Sequence, residues 1–487
     1  MPSVLLLINE EAHARELARV ATLLGNDPAL RPVYFVDERM KPFGVHHMLA
    51  ESGVETLTAA DFPSSRRLAP LPTDDLVRRA ASALLTTARR VGNRLPAALN
   101  RPIRPLQMIA SARDQLRLRL SLCEDVLTSR DFATLVLCED NIDLDTAPWI
   151  LVAQRRGIRS VIVPYTIANS VELTEAYVFS EPLQLKTSLL NRLAARQFPK
   201  WATQHKGRKF LRTSYARIAA IELLGFAPPK PWLLNSGAVD TIAAESCAMR
   251  DYYREAGIPA AQITVTGTLV DDVIAAARAD AASRRRALLT ENGLPLDRPV
   301  LLCAFPPDQG VFDRPGCEFS DYDDMIAFWG ECLGAVKNWN VIVSRHPKTR
   351  PGRLDGLRKY GVTLTDHDTA PLVPLCDLYV ASVSATIRWA LACGIPVINY
   401  DAYRLDFVDY VGLEGVVWMN ARNEFRRILA AATADVAYFA RLRTVQQPEA
   451  PRWGFHDGQS GRRLRALIGR EPFEQPACPA PAEGQAR

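Results

Sequence analysis

Three cationic or hydrogen-bonding side chains stand together in Arg345-His346-Pro347-Lys348, directly after the apolar run Val341-Ile342-Val343-Ser344. In a parallel α/β sheet the loop after a strand lies on the edge where ligands bind. Arg, His and Lys gathered in such a loop suit a phosphate. Farther on, Leu378-Tyr379-Val380-Ala381 is followed by Ser382-Val383-Ser384-Ala385-Thr386, where a helix is expected to open. Hydroxyls at a helix start, with the dipole behind them, form a neutral anion cradle. In the other half of the chain, Leu137-Cys138-Glu139-Asp140-Asn141 ends a strand on two carboxylates. Glu10 and Glu11 follow the first strand in the same way.

Other chemistry-bearing residues have blander roles. Asp143-Leu144-Asp145 matches a short metal-binding pattern, but the stretch lacks the glycine of a calcium loop, and no metal is expected. His46 and His47 have no second ligand pair at matching spacing and are read as surface residues. His456 lies beyond the last expected sheet strand and either packs or caps a cleft.

The elements that must position these residues alternate between strand and helix, the signature of βαβ units and a parallel sheet. Strands are expected at 4–8, 33–36, 134–138, 160–164, 239–244 and 262–266, then at 299–304, 340–344, 361–364, 378–381 and 396–399. Helices are expected at 11–24, 147–156, 246–256, 323–336 and 385–393. With 487 residues the chain exceeds one compact core. The reading is an α/β protein of two Rossmann-like domains, 1–260 and 261–470. Basic helical insertions fall at about 62–130 and 182–225 in the first. The tail 471–487, rich in Pro, Ala, Glu and Gln, is expected to be disordered.

The nine cysteines are scattered without a CxxC pair, which fits a reducing, cytoplasmic setting. No apolar run is long enough to cross a bilayer, so any membrane contact is peripheral, on the inner face. Between Pro182 and Ile221 nine basic residues occur with no acidic residue until Glu222. Such a block suits an anionic partner, lipid head groups or a phosphorylated acceptor. Nucleic acid is not an expected partner.

The stretches 344–350 (SRHPKTR), 376–401 (CDLYVASVSATIRWALACGIPVINYD) and 263–274 (ITVTGTLVDDVI) resemble the C-terminal domain of GT-B glycosyltransferases. By motif they are most similar to the bacterial sialyltransferase and Kdo-transferase groups, in which a His-Pro motif and a later Ser/Thr motif hold the phosphate of a CMP-activated acidic sugar. The resemblance implies two Rossmann-like domains facing a cleft. It also implies an inverting, metal-independent transfer to a surface-polysaccharide or glycolipid acceptor, with the nucleotide sugar as substrate and no separate cofactor. Carried over, His346 and Pro347 match the first motif and Ser382 and Ser384 the second. Arg345, Lys348, Thr386 and Gly267 complete the expected donor-binding set. Those groups place in the N-terminal domain an acidic base that takes the proton of the attacking hydroxyl, the role expected of Asp140 or Glu139, with Glu10 and Glu11 as substitutes. Their acidic pair is followed by Gly, where this chain has Asn141. CDP-polyol phosphotransferases share the His-Pro dipeptide. Nucleotide-sugar 2-epimerases resemble the 265–274 stretch, but the chain lacks their Thr-Glu-Arg-Pro-Glu run. A non-catalytic polysaccharide-assembly protein is the remaining alternative.

Overall fold

The computed structural model describes residues 2–63, 76–92, 103–167 and 171–479. The chain forms two compact units: 1–243 with 254–264 and 465–472, and 244–253 with 265–464 and 473 onward. Each is built on its own parallel sheet.

In the first unit the strands are β1 (Ser3–Ile8), β2 (Arg31–Val36), β3 (Thr56–Thr58), β4 (Phe132–Leu137) and β5 (Arg159–Ile162), followed by the hairpin β6 (Ala202–His205) and β7 (Arg208–Leu211), then β8 (Thr241–Ala244) and β9 (Ile263–Val265). The sheet order is β3-β2-β1-β4-β5-β8-β9. Every residue of β1 is buried. A parallel strand covered on both faces needs such an unbroken apolar run, which is why Ser3-Val-Leu-Leu-Leu-Ile reads plainly as a strand. The chain leaves β1 outward to β2 and β3, then returns to β4 on the other side, so the strand order reverses between β1 and β4.

The second basic insertion is only partly helical. The first contributes the helices Leu76–Gly92 and Arg104–Thr128, with 64–75 and 93–102 outside the described residues. The second combines the helices Leu189–Gln197 and Tyr215–Leu224 with the antiparallel β6–β7 hairpin. The residues after Glu471, expected to be disordered, are held as far as 479. Gln475 Oε1 accepts the Val265 N–H at 3.1 Å, and Cys478 is disulfide-bonded to Cys247. Residues 480–487 lie outside the described residues.

The second unit carries β10 (Val300–Ala304), β11 (Asn340–Ser344), β12 (Thr363–Thr365), β13 (Leu378–Ala381), β14 (Val397–Tyr400) and β15 (Val416–Met419), ordered β12-β11-β10-β13-β14-β15. Its reversal lies between β10 and β13. One face packs on an aromatic core in which Tyr400 stacks on Phe425 at 4.7 Å and Trp329 lies 4.8 Å from Phe425. Among the described residues no helix is long and apolar enough to cross a membrane.

Candidate active site

The reversal point of a parallel sheet opens a crevice at the strands' carboxyl ends. In the first unit, β1 leads into the helix Glu11–Gly25 and β4 into Cys138-Glu139-Asp140. His13, in the first turn of that helix and 2% exposed, places Nε2 3.1 Å from Glu139 Oε1. The Tyr165 ring meets the imidazole edge-on at 5.0 Å. Burial pushes the Glu139 carboxyl above its ordinary range, against the hydrogen bond and charge of His13, and the charge of Glu10 raises it further. Burial likewise pushes Tyr165 up. Ligand atoms of Glu10, His13 and Glu139 lie within 4.8 Å of one another, so this group could also hold a metal ion.

Adjacent residues at the end of β4 diverge. Asp140 is 1% exposed. It accepts hydrogen bonds from the N–H and hydroxyl of Ser236 and from the Ala238 N–H. Its carboxylate anchors the loop before β8, and burial lifts it to about 6. Glu139 instead meets His13. That histidine was missed because a single His on a helical pattern gives no signal until the fold brings Glu139 to it. Glu11 is ion-paired with Arg15 on the surface at 3.5 Å.

The Asp143-Leu144-Asp145 pattern is matched by arginines of the second insertion. Asp143 Oδ2 lies 2.6 Å from the fully buried Arg212 and accepts from Tyr177 Oη at 2.7 Å. Asp145 pairs with Arg217 at 2.5 Å. Part of the basic block therefore answers internal carboxylates. His47 is exposed.

In the second unit the loops after β11 and β13 emerge from the same edge with β10 between them. Strand spacing of about 4.8 Å puts their roots about 10 Å apart. Arg345 is turned to Asp366 Oδ1 at 2.9 Å and the Thr349 carbonyl at 3.0 Å. His346 Nδ1 accepts the Lys348 N–H at 3.1 Å, which folds the loop on itself, and Pro347 and Lys348 are exposed. In the second loop Ser384 Oγ and Thr386 Oγ1 are 2.8 Å apart, and Tyr379 Oη donates to Thr386 at 2.6 Å. Ser382 Oγ accepts the Ala402 N–H at 3.4 Å. The helix that follows, Ile387–Ala392, is six residues long, shorter than expected.

Val383 sits at φ +43°, in the left-handed region that β-branched residues rarely occupy. Its N–H is held by Asn399 Oδ1 at 2.9 Å. Strain of this kind gathers at ligand-binding turns. Sequence reasoning also passed over the loop after β10, which shares the reversal point. There Tyr322 and Tyr403 donate to the carbonyls of Pro306 and Pro307 at 2.7 and 2.5 Å.

Gly267 has a structural reason to be glycine. Its φ is +78°, and a Cβ there would come 2.3 Å from Ser460 Oγ. It adjoins Thr268, which caps the helix Leu269–Ala279. Near it the buried Arg388 donates to Asp271 Oδ1 at 3.0 Å and to the Trp453 carbonyl at 2.9 Å.

No protein-family profile and no curated protein matches the chain. Among solved structures it is similar to the glycotransferase of kitacinnamycin, at 14% identity over 97% of this chain and 100% of that one, TM-score 0.50. CalG4, the calicheamicin glycosyltransferase, aligns at 13% identity over 96% and 98%, TM-score 0.50. This chain has the GT-B glycosyltransferase fold. The UDP-GlcNAc 2-epimerase from Neisseria meningitidis, bound to UDP-GlcNAc, aligns at 11% identity over 96% and 100%, TM-score 0.49. A GT-B chain carries two Rossmann-like units, and the two parallel sheets with their reversal points are those units.

Proposed function

We propose that the protein is a glycosyltransferase moving a sugar from a nucleotide-activated donor to a hydroxyl of a glycan or glycolipid. The observation that carries this reading is the buried His13–Glu139 pair at the reversal point of the first sheet. With Nε2–H donated to Glu139, His13 Nδ1 is left to take the acceptor's proton. The acceptor oxygen attacks the anomeric carbon as the bond to the phosphate oxygen breaks, and the nucleotide leaves with that electron pair. Glu139 offsets the imidazolium charge while the proton resides on His13.

The second unit would meet the leaving phosphate with His346, Lys348 and the Ser382–Thr386 turn. Donors fixed in advance on that turn stabilise charge without reorganising during the reaction. Arg345 would exchange Asp366 for the phosphate. A CMP-linked acidic sugar is the donor favoured by the His-Pro and Ser motifs, and no metal enters the step. On the membrane side, Leu189 and Leu193 are 62% and 53% exposed on the helix Leu189–Gln197. Arg192 and Arg196, exposed on the same helix, suit an anionic lipid surface.

The test is a thermal-shift screen with CMP, CDP, UDP and GDP, since a ligand of the native state raises the melting temperature. One nucleotide should stabilise the wild type and lose its effect in Ser384→Ala combined with His346→Ala. Stabilisation that survives both changes would remove the phosphate assignment. A CDP response with polyol phosphate in the product would select the phosphotransferase instead.

A further inference from the structure

The second unit holds a separate group of cations at the opposite edge of its sheet. Two adjoining cavities, of about 300 and 570 Å³, share Arg278, Cys393, Gly394 and Gln447. Asp377 and Pro396 immediately precede β13 and β14 and line the smaller one, so it opens at the amino ends of those strands. The His346 and Ser384 loops leave from the carboxyl ends. Strands of four residues at about 3.3 Å per residue keep the two places about 13 Å or more apart.

Three guanidinium groups border the smaller cavity: Arg278, Arg285 and Arg443. Arg285 is matched by Asp377 at 2.8 Å. Arg278 and Arg443 have no carboxylate partner among the described residues. Arg278 Nη1 instead lies 2.8 Å from His456 Nδ1, a neutral acceptor for a cation. Burial, then the charges of Arg278 and Arg388, push His456 down to about 4 against the opposing charge of Asp457, which also lines the larger cavity, so the imidazole adds no charge and reports the net positive field around it. The Cys393 thiol, 3.9 Å from His456 Nε2, is also kept neutral by burial. Ala477 lines the larger cavity, and the neighbouring Cys478 is covalently tied to Cys247.

We infer that Arg278 and Arg443, with His456 beside them, form a second anion-binding site for a small soluble diphosphate or phosphate ester, distinct from the donor loops. Two guanidinium forks unmatched by carboxylates suit phosphate oxygens. An anion between them would favour protonation of His456, which then becomes a second donor.

The experiment uses inorganic pyrophosphate and full-length protein labelled with ¹³C-histidine. The His456 signal is assigned by its loss in His456→Gln. The expected result is a saturable shift of that signal with its titration moved to higher pH. Apparent affinity should fall at least tenfold when Arg278→Ala and Arg443→Ala are combined, and stay unchanged in His346→Ala. Both arginines are exposed, and Arg443→Glu alone gives a second variant that should lose the shift. Absence of a saturable shift, persistence of it in the double variant, or its loss in His346→Ala would overturn the assignment.

Discussion

His13 Nε2 lies 3.1 Å from Glu139 Oε1, joining the helix after β1 to the loop after β4 within one unit. Because burial raises Glu139, its ionised form is lost as pH falls while still above the ordinary carboxyl range. Turnover should therefore decline on the acid side of its profile. Glu139→Gln should lower kcat by about 10²-fold and flatten that limb. A variant keeping both the wild-type rate and the wild-type acid limb would detach Glu139 from the chemistry.

Asp140 should behave as a structural residue. Asp140→Ala leaves the N–H groups of Ser236 and Ala238 and the Ser236 hydroxyl without their acceptor, at a cost of about 3 kcal/mol. Denaturant unfolding should show that loss, whereas stability within about 0.5 kcal/mol of wild type would contradict it.

The fold was legible because its strands are buried parallel ones. Ser3–Ile8 and Leu378–Ala381 announce themselves as apolar runs ended by polar residues. Short elements were not legible: β3 has three residues, and the β6–β7 hairpin sits in a basic stretch whose charges mask its alternation. The loops after β11 and β13 stood out because cations and hydroxyls follow strand ends. His13 did not, since its meaning depends on a partner 126 positions away. The sequence cannot say which of two neighbouring carboxylates turns toward Ser236. The Cys247–Cys478 bond spans 231 residues and leaves no local mark.

Glu245 offers a pH test of the second unit. Burial lifts it to about 7, Arg388 opposes the shift and Asp271 adds to it, and Oε1 has no hydrogen-bond partner among the described residues. A carboxyl raised on folding stabilises while protonated, fully below its unfolded pKa of about 4.3. That contribution is lost as pH climbs through about 7. Wild-type stability should fall across this window by an amount on the order of 3 kcal/mol, and Glu245→Gln should remove most of the fall. Parallel pH curves for the two proteins would contradict this.

The exposed Leu189 and Leu193, with Arg192 and Arg196, should carry the chain onto anionic vesicles. Changing both leucines to Glu should cut co-sedimentation with phosphatidylglycerol vesicles by about tenfold or more without altering nucleotide binding. Equal co-sedimentation of the two proteins would sink this partner.

The most direct measurement is release of free nucleotide from a panel of nucleotide sugars, headed by CMP-linked acidic sugars, with and without glycan acceptors. Wild type should consume one donor. His13→Ala, still folded and still binding that nucleotide, should be slower by about 10²- to 10⁴-fold. Consumption of no donor, or a His13→Ala rate equal to wild type, would contradict the transferase assignment.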